Sequence, residues 1–175
     1  GVLRQQQLGE PVAAYDTLRD ALKLAGDENT DEVYTAMSEL ICDVWAFPAI
    51  EDRIKARIEA AETKEKSARI AIELSILYLE FLHDTDGGLA TLREAADRCE
   101  QDAAVFLRVT QQFERHADEL TLARWLEGAR ERPLNIGVKK NALEQALAIY
   151  QNEGADWTIV RRIWDAILEL DASEP

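Results

Sequence analysis

Apolar residues recur at spacings of three and four along almost the whole chain, the mark of helices that each bury one stripe. β-branched residues nowhere form an alternating run of strand length. Turn signals interrupt the pattern at Gly9-Glu10-Pro11, Gly26 to Thr30, Phe47-Pro48, Asp84 to Gly88, Pro133 to Gly137 and Gly154 to Asp156. The spacing predicts helices over 2–8, 11–25, 30–46, 49–61, 64–83, 87–99, 102–116, 119–131, 137–152 and 157–170. Asn29 and Glu32 have the separation of a capping box at the start of one of them. Connections only a few residues long make successive helices antiparallel hairpins, so the fold class is all-α.

The hairpins recur. The central large apolar residue of each second helix is Leu18, Ile54, Leu92, Leu126 and Trp164, at intervals of 36, 38, 34 and 38. Four residues earlier stand Ala14, Ile50, Gly88, Leu122 and Val160, and three later Ala21, Arg57, Ala95, Ala129 and Ile167, all on one helical face. Small residues in these slots allow close helix approach. The first helices carry quartets at relative positions 0, 3, 4 and 7: Tyr34, Met37, Ser38, Ile41; Ala71, Leu74, Ser75, Tyr78; Phe106, Val109, Thr110, Phe113; Leu143, Ala146, Leu147, Tyr150.

These quartets and slots resemble the tetratricopeptide repeat (TPR) pattern, W-x2-L-G-x2-Y followed by A-x3-F with a period near 34. Three quartets put Ser or Thr where that family has Gly, three end in Tyr or Phe, and the leading Trp is replaced by Tyr, Ala, Phe or Leu. Related hairpin repeats, half-a-TPR (HAT) arrays among them, share such a period. The resemblance implies an α-solenoid of about four and a half antiparallel hairpins in a right-handed superhelix, each hairpin covering its neighbour's apolar face. It also implies a concave groove lined by the first helices. Carried over, the groove positions are Glu32, Thr35, Glu39 and Cys42; Arg69, Ile72, Ile76 and Leu79; Ala104, Leu107, Gln111 and Glu114; and Asn141, Glu144, Ala148 and Gln151. The family's carboxylate clamp for acidic tails uses Lys, Asn or Arg at positions held here by Thr35, Glu39 and Ile72, so an apolar segment bearing Lys or Arg is the expected guest.

Charge sharpens this expectation. The 175 residues carry a formal net charge of −14, which opposes nucleic-acid phosphates and makes an RNA-binding helical repeat the weaker alternative. No run of about 18 apolar residues suggests a membrane span, and GVLRQQQLGE lacks the regions of a signal peptide, so a cytoplasmic protein is expected. Gly1 in place of an initiator methionine suggests a piece of a longer protein, whose exposed repeat ends would favour self-association.

Candidate chemistry is sparse. His83 and His116 fall at predicted helix ends, where a ring can meet free carbonyls. Asp84-Thr85-Asp86-Gly87 begins like a calcium loop, but its glycine arrives too early. Cys42 and Cys99, each without a Cys or His at ligand spacing, read as small buried thiols. The 34 acidic residues read as solvated helix faces. Trp157 and Trp164 match packing slots, whereas Trp125, adjacent to the slot of Leu126, reads as a partly exposed contact residue. The expected function is therefore a non-enzymatic protein- or peptide-binding scaffold without a cofactor or metal. A regulatory sensor for a small peptide or metabolite is the alternative.

Overall fold

The computed structural model describes residues 11–25 and 31–172. The predicted helix over 2–8 and the proposed cap residue Asn29 lie outside them. Among the described residues there are nine α-helices and no strand: α1 Pro11–Ala25, α2 Asp31–Ile41, α3 Phe47–Glu59, α4 Lys64–Ile76, α5 Thr85–Arg98, α6 Ala103–His116, α7 Glu119–Glu127, α8 Ile136–Asn152 and α9 Trp157–Ala172. A π turn, Leu77–Phe81, prolongs α4, and a 3₁₀ turn, Gly128–Arg130, prolongs α7.

Short polar side chains set the helix starts by taking backbone N–H groups that have no partner in the first turn. Thr63 accepts from Lys66 at 3.1 Å, Asp102 from Ala104 at 2.8 Å, Asp118 from Thr121 at 2.8 Å, Asn135 from Val138 at 2.9 Å and Asp156 from Thr158 at 2.8 Å. The Asp84 side chain does the same for Gly87 at 3.0 Å, so the fragment resembling a calcium loop opens α5. Gly154, at φ 67°, ends α8: its N–H reaches the Gln151 carbonyl at 3.3 Å, and Ala155 reaches Tyr150 at 2.9 Å. That is a Schellman closure, in which only glycine avoids left-handed strain.

The prediction of one helix over 30–46 is corrected, because α2 stops at Ile41. The Asp43 side chain accepts from Trp45 at 2.8 Å and Ala46 at 3.3 Å, a local arrangement that competes with continued helix. Pro48 then occupies the first turn of α3, where its missing N–H costs little. The turn buries Ala46 and leaves Val44 and Trp45 exposed.

The chain divides into two compact units between Gly88 and Leu89. In the first, α1 packs on α2 and α3, α3 packs on α4, and α2 also meets the π turn. Tyr15, Met37, Ile41, Ile50, Ile54, Ile58, Leu74 and Leu77 form its core, and fully burying each large side chain is worth roughly 1.5–3 kcal/mol. Leu79 presses on Gly88, where an added Cβ would lie 2.4 Å from the Leu79 Cγ, so this slot requires glycine for close approach.

In the second unit α6 packs on α7, α7 on α8, and α8 on α9. Leu92, Val109, Phe113, Leu126, Leu143 and Ile163 are its most buried large side chains. Every member of the quartets beginning at Phe106 and Leu143 is buried. The last slot is corrected by one residue: α9 buries Val160, Ile163, Ala166 and Ile167, while Trp164 and Trp157 are exposed. Size and hydrophobicity singled out Trp164, but the buried stripe runs through its neighbour.

Two further readings are corrected. Trp125 is buried, stacked between core aromatics with its indole N–H donating to the Thr110 hydroxyl at 2.9 Å. Cys42 is exposed, its thiol 3.4 Å from the Phe81 carbonyl, while Cys99 is buried, and both are free thiols.

Candidate functional site

In α6 the stripe Val105, Phe106, Val109, Thr110 and Phe113 turns inward. This leaves Leu107, Gln111 and Glu114, at i, i+4 and i+7, along the open side. In α8 the inward stripe of Ala142, Leu143, Ala146, Leu147 and Tyr150 likewise leaves Asn141 and Gln145 outward. Between these open sides lies a cleft of about 410 Å³. Leu107, Gln111 and Glu114 line it from α6, and Val138, Asn141 and Gln145 from α8; Phe106, Thr110, Leu126 and Ala142 are its buried lining.

The cleft is apolar beneath and amide-rich at its edges. Gln111, Asn135, Asn141 and Gln145 supply four carboxamides, and Glu114 is the one ionisable lining residue. The Gln145 amide donates to the Asn141 side chain at 2.9 Å, which fixes the orientation of both. The Thr110 hydroxyl is engaged: it donates to the Phe106 carbonyl at 2.9 Å and accepts from Trp125. Such a lining offers hydrogen bonds of both senses and apolar contact, the chemistry of recognition.

The structure brings Leu107, Gln111, Glu114 and Asn141 together in this cleft; Glu144 is exposed elsewhere on α8. In the first unit Glu32, Thr35 and Glu39 are exposed on α2, and Arg69 is exposed on α4. Ile72 and Leu79, expected to face a guest, are buried in the core, and Ile76 is half-buried. The helix α4 is covered on more than one side, which a single-groove frame did not anticipate.

Sequence reasoning also passed over three carboxylates that are not freely solvated. Tyr15 donates to Glu73 at 3.1 Å, Tyr78 to Glu51 at 2.7 Å and Tyr150 to Glu127 at 3.2 Å. Each carboxylate has a cation beside it: Arg19 and Arg57 near Glu73, Lys55 at Glu51, and Arg162 at Glu127. Burial, with the neighbouring Glu73 carboxylate, pushes the Tyr15 phenol far above its usual range. Burial and Glu127 likewise raise that of Tyr150. Tyr78 and Tyr150 end their quartets, so the spacing carried a signal for the tyrosines but none for their acidic partners.

A second, shallower recess of about 360 Å³ lies along α9 beside Arg130, Arg161, Arg162, Asp165 and Glu169. Its arginines are neutralised in place: Arg130 pairs with Glu169 at 3.0 Å, Arg161 with Asp165 at 3.8 Å, and Arg162 with Glu127. No helix among the described residues is long and apolar enough to cross a membrane. No protein-family model, curated protein or solved structure matches the chain.

Proposed function

We propose that this chain is a TPR-like helical-repeat scaffold that binds a peptide or partner-protein segment, with the α6–α8 cleft as its principal contact. The cleft itself carries the proposal, because four positions assigned to a groove by the repeat frame line one cavity with an apolar floor and carboxamide edges. Carboxamides match the donors and acceptors of an extended backbone, the floor accepts an apolar side chain, and Glu114 favours a neighbouring Lys or Arg on the guest. Packing of α1 on α2 and α3 and of α3 on α4 in the first unit, and of α6 on α7, α7 on α8 and α8 on α9 in the second, supports stacked helical hairpins within each unit, the element from which an α-solenoid is built. In this reading the protein acts as an adaptor, and its chemistry is binding without catalysis.

The test is an array of apolar peptides bearing Lys or Arg, followed by titration of the best binder against Leu107→Asp and Asn141→Ala. Both variants should bind more weakly while keeping the parent's helical content. Unchanged affinity in both removes the cleft from the interaction.

The sensor reading is favoured by one observation, the cleft's volume, which falls within the roughly 300–1,000 Å³ of small-molecule sites. Thermal shifts in a metabolite screen that disappear in Leu107→Asp would select it over the scaffold.

A further inference from the structure

We propose that the outer face of α9 docks onto the same face of a second copy of this chain, the two helices antiparallel about a two-fold axis between Arg162 and Ile163. Trp157, Arg161, Trp164 and Leu168 follow one another at spacings of four, three and four, which places them on a single stripe. The adjoining stripe, Val160, Ile163 and Ile167, about 100° round the helix, is spent on the unit's core. Trp157, Trp164 and Leu168 remain 69%, 44% and 58% exposed. Arg161 is exposed as well, with a 3.8 Å ion pair to Asp165 one turn along.

The stripe is its own complement. In an antiparallel pair, positions equally far from the axis on opposite sides meet, and the 4-3-4 spacing is unchanged by that reversal. Trp157 therefore meets the partner's Leu168, and Arg161 meets the partner's Trp164. The first is an apolar contact and the second sets a guanidinium on an indole face, so each of the four residues receives a neighbour of matching chemistry. A parallel pairing would instead put Arg161 against the partner's Arg161. The isologous arrangement also closes after two copies.

The areas of such side chains limit the buried surface to something on the order of 400–500 Å² per copy. That falls short of the roughly 800 Å² per partner of a stable interface, so the dimer is reversible. Each copy carries −14 overall, and the resulting repulsion is screened by salt, so added salt tightens the association.

Sedimentation equilibrium of the full chain, from low micromolar to near-millimolar concentration, should show monomer and dimer in exchange. Trp164→Glu and Arg161→Glu should each weaken the dimer by about tenfold or more without altering circular dichroism. Geometry is tested in a Cys42→Ser background by mixing chains carrying Trp157→Cys with chains carrying Leu168→Cys under mild oxidation. The mixed disulfide should form ahead of either like-with-like product. A monomer at every concentration, a dimer indifferent to both charge substitutions, or dominant like-with-like cross-linking would each overturn the proposal.

Discussion

Trp125 lies face to face with Phe113, their ring centroids 4.8 Å apart and their planes 8° from parallel. Phe106 stacks on the same indole at 5.3 Å, and the guanidinium of Arg132 sits 4.9 Å from its centre. Arg93 lies over Phe113 at 5.3 Å, so cations flank an aromatic column that joins α6 to α7. Two of its rings come from the quartet of α6, and one of these, Phe106, also lines the candidate cleft.

Removing the indole should therefore loosen the second unit as a whole. Trp125→Ala is expected to cost about 3–5 kcal/mol in urea unfolding. Trp125→Phe should cost less, because it keeps a ring while giving up the bond to Thr110. The same residue has an optical signature, since Trp45, Trp157 and Trp164 are exposed and Trp125 is 6% exposed. Acrylamide should quench three emitters readily and leave a protected fraction that Trp125→Phe abolishes.

The Tyr78–Glu51 pair predicts acid sensitivity. Burial works against the Glu51 carboxylate, but hydrogen bonds from Lys55 and Tyr78 outweigh it and hold its pKa below the ordinary value. A carboxyl depressed on folding adds stability above its unfolded pKa, near 4.3, and that contribution is lost as pH falls through the folded value. Glu51→Gln should reduce the loss of stability measured across that acid window. At neutral pH the cost should be about 0.5–1 kcal/mol, because the site is partly exposed.

Tyr15 predicts the opposite limb. Its phenol is raised on folding, chiefly by burial and then by Glu73, so its contribution is complete below the unfolded value near 10 and declines as pH rises toward the folded one. Tyr15→Phe should flatten the alkaline fall in stability. At neutral pH it should lose about 1 kcal/mol for the missing hydrogen bond to Glu73.

Two glycines should respond with opposite signs. At Gly88 a methyl group would collide with Leu79, so Gly88→Ala should destabilise by about 1–3 kcal/mol. At Gly128 nothing lies within 4 Å of the added carbon and the backbone is already helical, so Gly128→Ala should stabilise by about 0.5–1 kcal/mol. Thermal unfolding of the two variants against the parent checks both.

Binding and folding can be separated at the groove positions. Leu107 is 48% exposed, and Leu107→Asp should change stability by no more than about 0.5 kcal/mol while impairing peptide capture. Ile72 is buried, and Ile72→Asp should unfold the first unit in chemical denaturation before any binding can be read.

The quartets of α4, α6 and α8 were legible because each demands bulk at fixed helical spacing, and spacing survives without knowledge of neighbours. Gly88 was legible for the complementary reason, since a missing side chain inside an apolar stripe marks close approach. What escaped depended on partners distant in sequence. Nothing local says that Glu127 will meet Tyr150, or that Trp125 will find Thr110 fifteen residues back. The register of α9 escaped because two tryptophans outweighed a smaller stripe of Val160, Ile163 and Ile167. The cleft was half-visible: its α6 side followed from the repeat frame, whereas Asn135, Val138 and Gln145 came from the way α8 begins.

The π turn after α4 has a bearing on how this chain tolerates changes of length. Its wide loop is closed by the Leu82 N–H on the Leu77 carbonyl at 3.1 Å, and it ends where Asp84 reaches back to Tyr78 at 2.8 Å across a left-handed His83. One residue more is wound into this stretch than ordinary α-helix would hold. Deleting a single residue there would be absorbed as tighter coiling, so the side chains beyond the deletion would keep their direction, whereas the same deletion in ordinary α-helix would swing them by about 100°. The segment is a spare link that sets the angular phase at which Leu79 arrives over Gly88.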